Sequence, residues 1–242
     1  MITHPRTVLV IGGSGKIGQA ICQTFGQHQW RVGIHYHNHQ QEAEATARCI
    51  KESGEEAQCF QADISQFDQT HTMFDHFHKL WGHLDVLICS PGYGVSKMLL
   101  KTSPEDWNNM FTINLTGIFH CLKAAGEILL SQKDGSVIIM GSLSSFHGTT
   151  GQSAYAASKA GLLGLMKTTA QEWGPFNIRI NIVFPGWHRS PLSGDAFPPE
   201  SMLTNHLLGH TPELHQVAKT VFDLSQLPDV SGQTFNLDSR IW

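Results

Sequence analysis

Seven short runs of mostly apolar, β-branched residues recur along the chain: TVLVIGG at 7–13, WRVGIHY at 30–36, AQCFQAD at 57–63, LDVLICS at 84–90, SVIIMGS at 136–142, RINIVFPG at 179–186 and SGQTFNLD at 231–238. Between them the pattern changes to helical spacing, in KIGQAICQTFGQH at 16–28, QQEAEATARCIKESG at 40–54, DQTHTMFDHFHKLWG at 68–82, a long stretch from Ser103 to Leu130, the segment 153–173, and TPELHQVAKTVFDLSQ at 211–226. Strands that are continuously apolar, rather than alternating, are buried on both faces, and helices between them supply the covering layers. The pattern predicts an α/β chain with a doubly wound parallel sheet in three layers. No linker, repeat or low-complexity segment interrupts it, so residues 1–242 read as a single domain.

Sheets of this kind bind ligands outside the carboxyl ends of their strands. The first such end is glycine-rich: Gly12, Gly13, Ser14, Gly15, Lys16, Ile17 and Gly18 lie directly between the first strand and the first helix. Glycines there permit a tight turn, close approach of the backbone to a pyrophosphate and close helix packing, with the helix N-terminus favouring the anion. An NAD site would place an acid at the end of the second strand to hold the ribose hydroxyls. That place holds Tyr36, followed by His37. With no acid to repel a 2′-phosphate, and with Lys16 and His37 able to contact one, NADP(H) is favoured over NAD(H). Asp63 and Ile64 after the third strand, and Ser90, Pro91 and Gly92 after the fourth, are expected to line the same crevice. Asp63 is read either as acceptor for the adenine amino group or as the cap of the next turn.

Later in the chain Tyr155 precedes Lys159 by four residues, the spacing that puts two side chains on one helix face. A lysine ammonium beside a phenol favours the phenolate and lowers a pKa that is ordinarily near 10.

Composition acts mainly by exclusion. Lys and Arg number 16 against 20 acids, for a net charge of −4, and no basic stripe points to nucleic acid. No apolar run reads as long enough to span a bilayer. Five scattered cysteines without a CxxC read as reduced thiols of a cytoplasmic protein. His35, His37 and His39 alternate as ligands on one strand side would, but no Cys or carboxylate completes a set, so no metal is expected.

Taken together, the glycine turn and the late Tyr-x-x-x-Lys pair resemble the short-chain dehydrogenase/reductase family across essentially the whole chain. Ser142 lies thirteen residues before Tyr155, the family's spacing; Asn114 matches its helix asparagine; and NIVFPGWHRS matches its Asn-x-Val-x-Pro-Gly-x-x-x-Thr segment with Ser190 at the Thr place. The resemblance implies a Rossmann fold and an oxidoreductase. In it Tyr155 exchanges a proton with the substrate, Lys159 lowers the phenol pKa and holds the nicotinamide ribose, and Ser142 polarises the substrate oxygen. It further implies that Asn114 holds a water through which Lys159 exchanges protons, and that Pro185, Gly186, His188 and Ser190 cradle the carboxamide.

Three segments depart from the family pattern: Ile11 and Lys16 replace a Thr and a Gly of its glycine turn, Cys89-Ser90-Pro91-Gly92 replaces Asn-Asn-Ala-Gly, and Asp238-Ser239-Arg240 replaces the closing Asp-Gly-Gly. The layout is most similar to the 3-oxoacyl-acyl-carrier-protein reductases, which implies a small carbonyl or acyl-thioester substrate. For an acidic carrier, Lys97, Lys101, Lys133 and Arg189 are the candidate contacts. Residues 189–210 interrupt the α/β rhythm and read as a substrate lid. A ring imine reduced in the manner of dihydropteridine reductases, or a silent nucleotide-binding sensor or scaffold, are the alternatives. The resemblance also implies a homotetramer or dimer packed through the helices at 104–130 and 153–173, with Phe111, Ile118, Phe119 and Leu122 as candidate interface residues.

Overall fold

The computed structural model describes residues 4–188 and 206–240. Its strands are β1 (Thr7–Ile11), β2 (Arg31–Tyr36), β3 (Ala57–Gln61), β4 (Val86–Cys89), β5 (Gly135–Met140), β6 (Ile178–Phe184) and β7 (Thr234–Asn236). They form one parallel sheet in the order β3-β2-β1-β4-β5-β6-β7. All of β1, β4 and β5 is buried, as apolar runs covered on both faces must be. Two hydrophobic clusters result, one on each face, with Leu9 and Ile11 in the first and Val8 and Val10 in the second. Alternate residues of β1 thus feed opposite layers. The strand order reverses between β1 and β4, and a crevice opens at their carboxyl ends.

The helices are α1 (Lys16–Gln27), α2 (Gln40–Glu52), α3 (Phe67–Trp81), α4 (Pro104–Phe111), α5 (Gly117–Gln132), α6 (Ser153–Trp173) and α7 (Leu214–Ser225). β1, β5 and β6 each stop two residues before the apolar run does, because the glycines and proline that follow leave the ladder. A capping box opens α4: Asp106 N–H donates to Ser103 Oγ (3.0 Å), Ser103 N–H returns a bond to Asp106 Oδ2 (3.0 Å), and Pro104 follows.

The long helix expected from Ser103 to Leu130 is not regular. A π-helical turn, Thr112–Thr116, joins α4 to α5 with fully buried Asn114 inside it. By length and hydropathy alone the continuous stretch Pro104–Gln132 would suffice to cross a bilayer, contrary to the expectation that no run does. Half of that window is buried in the fold, so here it is the covering helix of a sheet.

Two further expectations are corrected by burial. Ile118 and Leu122 are 0% and 2% exposed and belong to the core, leaving Phe119 exposed and Phe111 half-buried against Trp107 on the outer face. Lys133 follows α5 and precedes β5, at the amino-terminal end of the strands, away from the crevice. Lys97 is engaged by Asp106 (2.6 Å), Lys101 is exposed, and Arg189 lies outside the described residues.

Candidate active site

The glycine turn is built by close backbone contacts. Gly12 has φ +75°, and a Cβ there would stand 2.7 Å from the Ser90 carbonyl oxygen, so β1 and the loop after β4 meet at this point. Gly15 N–H closes the turn on Gly12 O (3.0 Å), and Ser90 N–H donates to Ile11 O (2.9 Å). Gly18 presses α1 onto the turn: a Cβ there would lie 2.2 Å from Gly12 O. Gly15, by contrast, is exposed, has ordinary φ, and meets only Gly12 O at 3.4 Å. No side chain caps α1, so its first-turn N–H groups are left for a ligand. Ser14 and Ile17 are half-buried in this turn and Lys16 is exposed. A wedge that only glycine fills, an exposed glycine and an uncapped helix start together fit a pyrophosphate.

Around the crevice the expected residues differ in role. Tyr36 ends β2 but packs into the core at 8% exposure, while His37 is exposed. Asp63 accepts from Ser65 N–H (3.0 Å) and Gln66 N–H bonds its carbonyl (2.9 Å), so one carboxylate oxygen caps the turn. Ile64 is buried against Gly117. At the end of β6, Pro185 O accepts from His188 Nε2 (2.9 Å), and Gly186 packs against Pro212. Burial lowers the His188 pKa. Ser190 and most of the 189–210 segment lie outside the described residues.

The polar set converges at the ends of β4 and β5 and the start of α6. Ser142 follows β5 and begins a single turn, its Oγ accepting from Ser144 N–H (3.2 Å). Its hydroxyl is also hydrogen-bonded to the Tyr155 phenol. Lys159 is 3% exposed and donates from Nζ to Met140 O (3.1 Å) and Pro91 O (3.5 Å), with the Tyr155 ring centroid 5.9 Å away. Two of its three hydrogens are thereby used, and no carboxylate pairs with it among the described residues. Burial lowers its pKa to about 8, against a small opposing contribution from Cys89, itself held neutral at about 12 by burial. The expectation that Lys159 depresses the Tyr155 pKa is not met. Burial raises the phenol, and the hydrogen bond from Ser142 opposes it.

Asn114 binds the loop rather than the catalytic pair. Its Nδ2 donates to Tyr93 O (2.9 Å) and Ser158 Oγ (3.1 Å), and its Oδ1 accepts from Tyr93 N–H (2.8 Å). Ser158 Oγ in turn donates to Tyr155 O (2.8 Å). Both amide hydrogens of Asn114 are spent on these partners, so the amide has none left to donate to a water. Sequence reasoning missed Ser158, Tyr93 and the carbonyl of Met140, because none carries a motif. It also passed over His35 as one of three alternating histidines, although a lone polar residue inside RVGIHY was the available signal. Among the described residues no group of three or more His, Cys, Asp or Glu is arranged to hold a metal.

Comparison with known proteins gives the family. The family model for short chain dehydrogenase matches residues 6–201. The chain is 29% identical over 242 residues to the 3-oxoacyl-(acyl-carrier-protein) reductase FabG of Staphylococcus aureus, covering 98% of each. It is 31% identical over 237 residues to carbonyl reductase family member 4 of Xenopus laevis, again covering 98% of each. Among solved structures, a dehydrogenase/reductase from Sinorhizobium meliloti 1021 superposes with a TM-score of 0.90 at 29% identity, over 97% of this chain and 94% of that one.

Proposed function

The chain belongs to the short-chain dehydrogenase/reductase family and is an NAD(P)-dependent oxidoreductase, and on that premise we propose that it reduces a carbonyl to an alcohol with NADPH, Tyr155 donating the proton. One arrangement carries the reading: Ser142 hydrogen-bonded to Tyr155, with buried Lys159 beside the ring, at the carboxyl edge where the strand order reverses. A nucleotide held there would supply a hydride to the carbonyl carbon. Ser142 hydrogen-bonds the carbonyl oxygen and withdraws charge from it as a neutral donor. The Tyr155 phenol, kept protonated by burial, gives its proton to that oxygen as the C–H bond forms. Lys159 would offer its remaining hydrogen to the nucleotide ribose and return a proton to the phenolate after the step, regaining one from solvent. Half-exposed Phe146, on the loop after Ser142, provides an apolar wall. The names of the FabG relatives favour a 3-oxoacyl thioester as substrate.

The test is a fluorescence titration with NADPH and, separately, NADH, followed by addition of acetoacetyl thioester to the complex. Binding in the micromolar range and oxidation of the nucleotide on adding thioester are expected. Binding of neither nucleotide would overturn the reading and favour a scaffold role.

The absent acid at Tyr36, with exposed Lys16 and His37 at the same edge, supports NADPH over NADH. Replacing Lys16→Glu and His37→Asp together is therefore expected to weaken NADPH at least about tenfold relative to NADH, since a charge-assisted contact to phosphate becomes a repulsion. Ratios of kcat/KM for the two nucleotides check it, and an unchanged ratio would place the 2′-phosphate elsewhere.

A pH profile follows from Lys159. Its ammonium is charged below about 8, and is lost as pH rises through that value, well before an ordinary lysine would titrate. Reductive kcat/KM, which reports the free enzyme, is expected to fall above about pH 8 and to keep its value on the acid side, because the raised phenol stays protonated throughout. Lys159→Arg should move the alkaline limb upward. A limb at the same pH in that variant would assign it to another group.

A further inference from the structure

His35 stands inside β2, one residue from its end, and is 3% exposed. Its ring spans two strand ends. Gly12 N–H donates to Nδ1 (3.0 Å), and Nε2 lies 3.0 Å from Ala62 O. An amide N–H only donates and a carbonyl only accepts, so the ring is neutral with its hydrogen on Nε2. Burial, which with the nearby His37 lowers the His35 pKa to about 4, keeps that form at neutral pH against the Ala62 carbonyl and Asp63.

Both bonds fall on walls of the crevice. Gly12 is the pivot of the glycine turn: its N–H is held by His35, its carbonyl by Gly15 N–H (3.0 Å), and its Cα by the Ser90 backbone. Were this peptide to rotate, the turn and the start of α1 would aim their N–H groups elsewhere. Ala62 leads directly to Asp63 and Ile64, the wall read as facing an adenine, and its own N–H bonds Tyr36 O (3.1 Å). Ile11, apolar where the family pattern has Thr, offers the turn no side-chain hydrogen bond.

We propose that His35 is the positioning residue of the nucleotide site, a two-sided brace that fixes the glycine turn and the Ala62–Ile64 wall at the separation a dinucleotide requires. It touches neither nucleotide nor substrate, and acts through Gly12 and Ala62. The inference rests on the dinucleotide reading above.

Three substitutions separate the two bonds. His35→Asn keeps an acceptor near the Nδ1 place, His35→Gln keeps a donor near the Nε2 place, and His35→Leu keeps neither. Each is compared with the wild type for NADPH dissociation constant, KM for NADPH, kcat and melting temperature. An orphaned buried N–H beside a phosphate-binding turn should weaken NADPH in His35→Leu by about tenfold to a hundredfold. The KM for NADPH should rise accordingly, with much less change in kcat. His35→Asn should recover most of that affinity and His35→Gln less, because the Gly12 bond sets the turn directly.

If His35→Leu binds NADPH as the wild type does, or if Asn restores melting temperature without restoring affinity, the brace is only structural and the inference falls. Should the Leu variant fail to fold, the Asn and Gln pair still decides: equal affinity in both, at the wild-type value, overturns it. A wild type that binds neither nucleotide instead removes the dinucleotide reading, and the inference with it, a result visible before any variant is made.

Discussion

Tyr155→Phe is expected to lower turnover by about 10²-fold to 10⁴-fold, the usual contribution of a positioned general acid, and to leave NADPH affinity near the wild-type value. The substitution removes one oxygen and keeps the ring. Lys159 is held by the carbonyls of Met140 and Pro91 rather than by the phenol, so its position does not depend on that oxygen. The helix register is likewise kept, because Ser158 bonds the Tyr155 carbonyl and not its side chain. Single-turnover oxidation of bound NADPH measures the chemical step, and a fluorescence titration measures binding. Wild-type turnover in Tyr155→Phe would remove the phenol from the mechanism, while lost turnover with lost binding would make the residue structural.

The second large effect belongs to Gly18. In Gly18→Ala the new Cβ would lie 2.2 Å from Gly12 O and 2.8 Å from Gly13 Cα, both backbone atoms that no rotamer change can move. The start of α1 must then withdraw from the turn. Overpacking against backbone places the cost at the upper end of the usual range, about 3 kcal/mol, which for a chain of this size lowers the melting temperature by roughly 6–12 °C. Nucleotide binding should fail with it, since the displaced helix carries the first-turn N–H groups. Gly15→Ala is the control: ordinary φ and a nearest atom at 3.4 Å predict a melting temperature close to wild type. Calorimetry on the two variants decides the matter, and equal melting temperatures would show that α1 does not need this approach.

Much of the architecture was legible because its cause is local. Continuous apolar runs separated by helical spacing leave a parallel, doubly covered sheet as the arrangement that buries them, and the chain folds into one. Phe67–Trp81 and Ser153–Trp173 follow the spacing to within a residue of their expected bounds. The π turn was not legible, since it accompanies a tertiary contact: inside it Asn114 bonds Tyr93, on a loop distant in sequence. Nor could spacing divide Ile118 and Leu122 from Phe119, because a sheet on one side and solvent on the other are tertiary facts.

At the crevice the same division holds. Residue identity alone determined that a glycine turn joins the first strand to the first helix, that no acid ends the second strand, and that Ser142, Tyr155 and Lys159 stand in a family order; each is a property of order along the chain. Tertiary structure decided which glycines are wedges and which is open, since that depends on Ser90 and α1 closing from either side. It also set the proton affinities. A lysine four residues from a tyrosine is expected to lower the phenol, yet burial raises Tyr155 and brings Lys159 to about 8. Desolvation is the sum of everything packed around a group, and the sequence lists those neighbours without saying which of them arrive.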